Sequence, residues 1–178
     1  MLRLKKTMDE LGRVSPEEFR KLKKKPVVVI LDNVRSAHNV GSVFRTCDAF
    51  LAEKVFLCGI TPIPPNSEIQ KTALGATEHV EWEYFSKTSD IISDLKNNRY
   101  KIYSVEQAHN SIHLSDIELE NNSKTALIFG NEVYGIDQEI IDISDFCIEI
   151  PQMGTKHSLN VSVCAGIIIH HFAKYYKG

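Results

Sequence analysis

Three short segments of this 178-residue chain gather the residue types that could do chemistry. In DNVRSAHNVGSVFRTCDAF, Asn39, Gly41 and Arg45 stand in the order N-x-G-x-x-x-R. A guanidinium can grip a phosphate or stabilise a developing oxyanion. On a helix starting near Asn39, Arg45 falls away from the stripe of Val40, Val43, Phe44 and Cys47 and faces a different surface. An exposed arginine paired with Asp48 or another acid is the plain alternative. In LIFGNEVYGID, an apolar run leads straight into Gly130, then Asn131, Glu132 and Gly135. Glycine at a strand end lets backbone approach a ligand, and the carboxylate can bond a hydroxyl or orient a cation. A tight turn would need the same glycines. The segment has no G-x-G-x-x-G spacing, and the chain has no Walker lysine pattern. The third segment is PQMGTKHSLNVSV, residues 151–163, where Pro151 and Gly154 shape a loop and Ser158 is placed to cap a helix starting near Leu159. Its polar density exceeds what a plain connection needs.

Positioning these groups requires a scaffold. The β-branched run at 27–31 has the character of a strand buried on both faces of a parallel sheet. Further strands are predicted at 54–58, 80–84, 101–105, 125–129 and 146–150. Helical spacing recurs in Val40, Val43, Phe44 and Cys47, and again in Ile91, Ile92 and Leu95. Strands alternating with helices predict an α/β sheet with helices on both faces. Each of the three segments then follows a strand, at the end where open α/β sheets place ligands. The C-terminal helix is apolar at Leu159, Val163, Cys164, Ile167, Ile168, His171, Phe172 and Tyr175. Val161, Ala165, Ile169 and Tyr176 widen that stripe beyond one buried face, which predicts a second covered surface supplied by another subunit. Near the N-terminus, SPEEF carries a capping-box pattern, with Ser15 as cap, Pro16 at the first helical position and Glu18 to close the box. The Pro-rich stretch at 61–66 is read as one irregular loop.

With 43% hydrophobic residues the chain fits one domain with a substantial core. Cys47, Cys58, Cys147 and Cys164 form no C-x-x-C pair and are expected as thiols in a reducing compartment, without a disulfide or zinc role. No N-terminal apolar run or membrane-length apolar span occurs, so a cytoplasmic protein without membrane contact is expected. A net charge of -2 excludes a uniformly basic nucleic-acid coat, yet RKLKKK at 20–25 is a local cationic cluster. That cluster is either a solvated helix face or a phosphate contact.

Together, the set Asn39, Gly41 and Arg45, the set Phe129, Gly130, Glu132 and Gly135, and IPQMGTKHSLNVSV are far more specific than any one alone. In this order they resemble the three signatures of the SpoU (TrmH-like) branch of the SPOUT RNA methyltransferases. The resemblance implies a mostly parallel sheet flanked by helices with a C-terminal deep trefoil knot, an exception to the rule against threaded chains. It implies a SPOUT methyltransferase domain over 26–178 behind a basic helical extension over 1–25. It also implies S-adenosylmethionine as donor, the ribose 2′-hydroxyl of RNA as acceptor, no metal, and a homodimer formed through the C-terminal helix. By resemblance, Gly130, Ile150 and Leu159, with Val105 at a neighbouring strand end, hold the adenosine half of the donor. Arg45 is the catalytic residue, and Asn39, Glu132, Ser158 and Asn160 support it. Glu132 would orient Arg45 or a ribose, while Ser158 and Asn160 would shape the acceptor site. An arginine seldom gives up its proton, so alkoxide stabilisation suits Arg45 better than a general-base role. Transfer RNA is the expected substrate, because a compact dimer can grip a small folded RNA, with ribosomal RNA as the alternative. A non-catalytic RNA-binding protein and a dinucleotide-dependent oxidoreductase are the other function classes.

Overall fold

The computed structural model describes residues 3–7, 9–12, 14–119 and 123–176; residues 1, 2, 8 and 13 of the N-terminal segment lie outside it. Its centre is β1 (Lys25–Asp32), whose residues from Val27 to Asp32 are all buried. Both edges of β1 are paired in parallel, Val29 standing opposite Val55 on one side and Leu127 on the other. Alternate residues of β1 therefore serve two cores. Val27, Val29 and Leu31 join Val40, Phe44, Ile69, Ile168 and Phe172 on one face, while Val28 and Ile30 join Ile91, Ile92, Leu95 and Ile140 on the other. A strand buried on both faces has no polar side, which is why 27–31 is an unbroken apolar run.

The remaining strands are β2 (Ala52–Cys58), β3 (Trp82–Phe85), β4 (Tyr100–Val105), β5 (Ile112–His113), β6 (Lys124–Phe129) and β7 (Phe146–Glu149). All pairings are parallel, in the order β3-β2-β1-β6-β4-β7-β5. The order jumps twice: β6 inserts between β1 and β4, and β7 between β4 and β5. These insertions bring the carboxyl ends of β4, β6 and β7 side by side.

The helices are α1 (Pro16–Lys21), α2 (Ala37–Ala49), α3 (Ser67–Ala73), α4 (Thr88–Asn97), α5 (Gln138–Ile143) and α6 (Val161–Ala173). The capping box at α1 is present: Glu18 N–H donates to Ser15 Oγ at 3.2 Å, and Ser15 N–H donates to Glu18 Oε2 at 2.8 Å. Phe19 of α1 is buried in the same core as α2 and α6, so α1 packs on the sheet domain. Three of the five basic side chains at 20–25 bond backbone carbonyls, Arg20 and Lys25 reaching other elements and Lys24 staying within its own segment. Arg20 donates to the Glu78 carbonyl, Lys24 to the Phe19 carbonyl and Lys25 to the Ala173 carbonyl.

Four elements depart from expectation. The Pro-rich loop runs into α3, capped by Asn66, whose Oδ1 accepts from Glu68 and Ile69 N–H. Both α5 and β5 are too short to show periodicity. The cap of α6 is Asn160, not Ser158: its Oδ1 accepts from Ser162 N–H at 2.8 Å and Val163 N–H at 3.4 Å. Helix α6 begins two residues later than the apolar pattern suggested, which leaves Ser158 and Leu159 in the preceding loop.

Candidate active site

Glu132 follows β6 and reaches across to the start of α2. Its Oε2 accepts from Arg35 N–H at 2.8 Å, and its Oε1 accepts from Ser36 N–H at 3.0 Å and from Asn39 Nδ2 at 2.9 Å. A carboxylate at a helix N-terminus satisfies donors that the helix leaves unpaired. Burial pushes the Glu132 carboxyl up, but bonds from Arg35, Asn39 and Ser36 outweigh it and hold the group below the usual glutamate value. Asn39 passes the chain of bonds on, its Oδ1 accepting from Asn160 Nδ2 at 3.1 Å. Asn160 thereby spends one end of its amide on Asn39 and the other on capping α6. One polar chain, Glu132–Asn39–Asn160, joins all three segments singled out in the sequence.

Beside this chain lies a cavity of about 990 Å³, walled by the segments that follow β4, β6 and β7 and by the start of α6. Val105, Gly130, Glu132, Ile150, Ser158, Leu159 and Asn160 all line it, so seven of the nine predicted site residues share one wall system. Asn39 stands behind Glu132 and Asn160, bonded to both. Arg45 does not line the cavity: it is exposed on α2, six residues beyond Asn39, or about 9 Å along the helix axis. Glu132 does not orient Arg45. Both of its oxygens are bonded by the α2 N-terminus and Asn39, and the Arg45 side chain makes no hydrogen bond or ion pair with any described residue.

Gly130 has a structural reason beyond ligand approach. A Cβ there would collide with the Gly135 carbonyl carbon and oxygen and stand 2.6 Å from the Ile136 nitrogen. The turn is closed by Asn131 and Gly135, whose backbone groups bond each other at 3.0 and 2.9 Å. Gly41 is likewise a contact glycine, its α-carbon facing the Ile69 carbonyl and the Thr72 hydroxyl of α3.

Two groups in the cavity escaped the sequence reading. Glu106, one residue past β4, accepts from Gln107 N–H at 2.8 Å and Ile136 N–H at 3.1 Å. Gln107 Nε2 donates to the His157 carbonyl at 2.6 Å, tying the exposed 151–159 loop to the opposite rim. Reading on past Val105 to the carboxylate next to it would have found the first of these. Cys164 also lines the cavity, but burial, aided by the Glu106 charge, pushes its thiol up to about 11, so it is no thiolate nucleophile. Among the described residues no group of three His, Cys, Asp or Glu side chains could hold a metal ion, and no helix is long and apolar enough to cross a membrane.

The sheet order and the cavity walls have counterparts in known proteins. The chain is 34% identical to an uncharacterised tRNA/rRNA methyltransferase of Borreliella burgdorferi over 153 residues, which make up 86% of this chain and 65% of that one. A TrmH-family relative in Staphylococcus epidermidis is 31% identical over 157 residues, 86% of this chain and 62% of its own. The chain thus spans less than two thirds of the length of these curated relatives. Among solved structures, the TrmH/SpoU tRNA modifying enzyme of A. aeolicus superposes with a TM-score of 0.79 at 26% identity, over 90% of this chain and 81% of that one. The S-adenosylmethionine-bound rRNA methyltransferase of Sinorhizobium meliloti superposes at 0.80 and 26% identity, over 93% and 62%. The profile of the SpoU rRNA methylase family matches residues 26–170, the span that holds the sheet, the polar chain and the cavity, and the chain belongs to that family.

Proposed function

We propose that this protein transfers a methyl group from S-adenosylmethionine to a ribose 2′-hydroxyl of RNA, with tRNA as the first substrate to test and rRNA as the second. The observation that carries the reading is the cavity at the carboxyl ends of β4, β6 and β7, joined by one polar chain to the helix that bears Arg45. The cavity suits the donor in size and in charge. Its volume of about 990 Å³ is ample for a nucleoside with an amino-acid tail. Glu106, Glu132 and Glu149 line it, with no lysine or arginine among the described lining residues, an environment favourable to a cationic sulfonium. The same wall disfavours a dinucleotide, whose pyrophosphate seeks glycine-rich N–H groups and cations. An oxidoreductase therefore fits this cavity poorly.

The bound donor supplies a methyl group on positively charged sulfur; the acceptor oxygen takes the methyl carbon, the carbon–sulfur electron pair stays on sulfur, and the hydroxyl proton is released. This chain's contribution begins with position. Gly130, Ile150 and Leu159, with Val105, form the wall for adenosine, and Ser158 stands exposed at the mouth, where an acceptor nucleotide would enter. Asn39, Glu132 and Asn160 fix the start of α2 against that wall. Arg45 then has a defined helix to project from, its guanidinium free to bond the developing alkoxide and the adjacent phosphate. Its distance from the cavity has to be bridged by its own long side chain together with the nucleotide it grips.

The reading also includes a threaded C-terminal segment, a homodimer through α6, a basic N-terminal segment ahead of the methyltransferase domain, and a cytoplasmic location. In support of the dimer, Val163 and Ile167 of α6 are exposed at four-residue spacing. Two assays test the function. Purified protein, labelled donor and total RNA should yield labelled 2′-O-methyl nucleotides, and RNA carrying 2′-deoxyribose at the modified position should accept none. Methylation of the deoxy substrate would make this a base methyltransferase.

A further inference from the structure

Three carboxylates line the cavity wall and differ in burial and partners: Glu132 is exposed, Glu149 faces a histidine ring, and Glu106 is half-buried with no ion pair among the described residues. Glu132 is held by Arg35 N–H, Ser36 N–H and Asn39, and Glu149 stands 3.2 Å from the His113 ring nitrogen. Glu106 is different. It lines the cavity half-buried, and among the described residues no lysine, arginine or histidine forms an ion pair with it. Its two hydrogen bonds come from neutral backbone N–H groups, of Gln107 and Ile136, which fix the carboxylate in place without cancelling its charge. Gly135 makes this placement possible, since a Cβ there would collide with Glu106 Oε2, and the residue adopts a φ of +69° that favours glycine. The charge also reaches the surrounding wall: after burial, it is the next cause raising the thiols of Cys147 and of Cys164, which stands on the cavity wall.

We infer that Glu106 is a specificity-determining residue that makes the cavity read charge, holding the cationic methyl donor and favouring release of the neutral thioether left after transfer. The inference rests on the proposed use of S-adenosylmethionine. Donor and product differ by one methyl group and one positive charge. A backbone-lined adenosine site binds their shared parts alike, so only a group that senses charge separates them. A fixed carboxylate in a partly enclosed cavity does so more strongly than one in open water.

The test is calorimetric and needs no turnover. Wild-type protein and Glu106→Gln are titrated with S-adenosylmethionine, with S-adenosylhomocysteine, and with sinefungin, which carries a protonated amine in place of the sulfonium. Glu106→Gln should weaken both cationic ligands by roughly tenfold while S-adenosylhomocysteine changes by less than about twofold, because Gln keeps one acceptor and the shape. Equal weakening of all three ligands would mean Glu106 only shapes the wall, and no change in any would remove it from recognition; either result overturns the inference. Should the variant fail to fold, the wild-type protein decides: it has to bind sinefungin more tightly than S-adenosylhomocysteine, and the reverse order overturns the idea. Absence of binding of every ligand to folded wild-type protein would instead sink the donor assignment itself.

Discussion

The Arg45 side chain forms no hydrogen bond or ion pair with any described residue, so its guanidinium contributes little to the fold and is free for a ligand. Arg45→Ala should therefore melt within about 0.5 kcal/mol of wild type and bind the donor normally. Methyl transfer should fall by at least about 100-fold, the scale of losing an oxyanion-stabilising donor. Arg45→Lys should recover little, since one ammonium cannot span oxygen and phosphate as a fork does. Rates near wild type for Arg45→Ala would remove the residue from the chemistry. Glu132 is the opposite kind of residue, both of its carboxylate oxygens bonded by the protein. Glu132→Gln places an amide NH2 where N–H donors point and should cost about 1 kcal/mol, given the partial exposure of the group. The native carboxyl titrates below its unfolded value, so its stabilisation is fully present above the unfolded value and is lost as pH falls through the lowered native one. Urea midpoints of the two proteins should differ near neutrality and converge in acid; a gap that persists at the acid end would show that charge is not the cause.

At the scale of elements, the contact between α2 and α3 depends on a missing side chain. A methyl group on Gly41 would run into the Ile69 carbonyl and the Thr72 hydroxyl, and Thr72 also donates to the His38 carbonyl across the same seam. Gly41→Ala should cost about 1–3 kcal/mol by overpacking, despite the gain in helix propensity, and thermal unfolding will read it. An unchanged or raised melting temperature would show that α3 gives way freely. Which elements the sequence disclosed follows from the same physics. Strand β1 and the apolar faces of α2 and α4 were legible because burial on a fixed period leaves a pattern. Helix α3 was hidden by the prolines before it, and α5 and β5 by having too few residues for any period. The cap of α6 was misplaced because Ser158 and Asn160 are both good capping types, and only the backbone decides between them. The site was legible as three motifs, but their joining through Asn39 was not, because a hydrogen bond between residues 121 apart leaves no local trace.

At the scale of the molecule, α6 presents two apolar faces with different tasks. Ala165, Ile168, Ile169 and Phe172 are fully buried against the sheet and α2, whereas Val163 is 52% and Ile167 40% exposed. Adjacent positions on one helix should therefore respond to the same substitution in different ways. Ile168→Asp places an unpaired charge in the core, at a cost of several kcal/mol, and should unfold the protein; it says nothing about association. Ile167→Asp leaves the isolated fold intact, because its side chain already meets water, but puts a charge where a second α6 would pack. Sedimentation should find wild-type protein as a dimer at micromolar concentration and Ile167→Asp as a folded monomer with an unchanged circular dichroism spectrum. A wild-type monomer would remove α6 as an interface, and a dimeric Ile167→Asp would move the interface to another face.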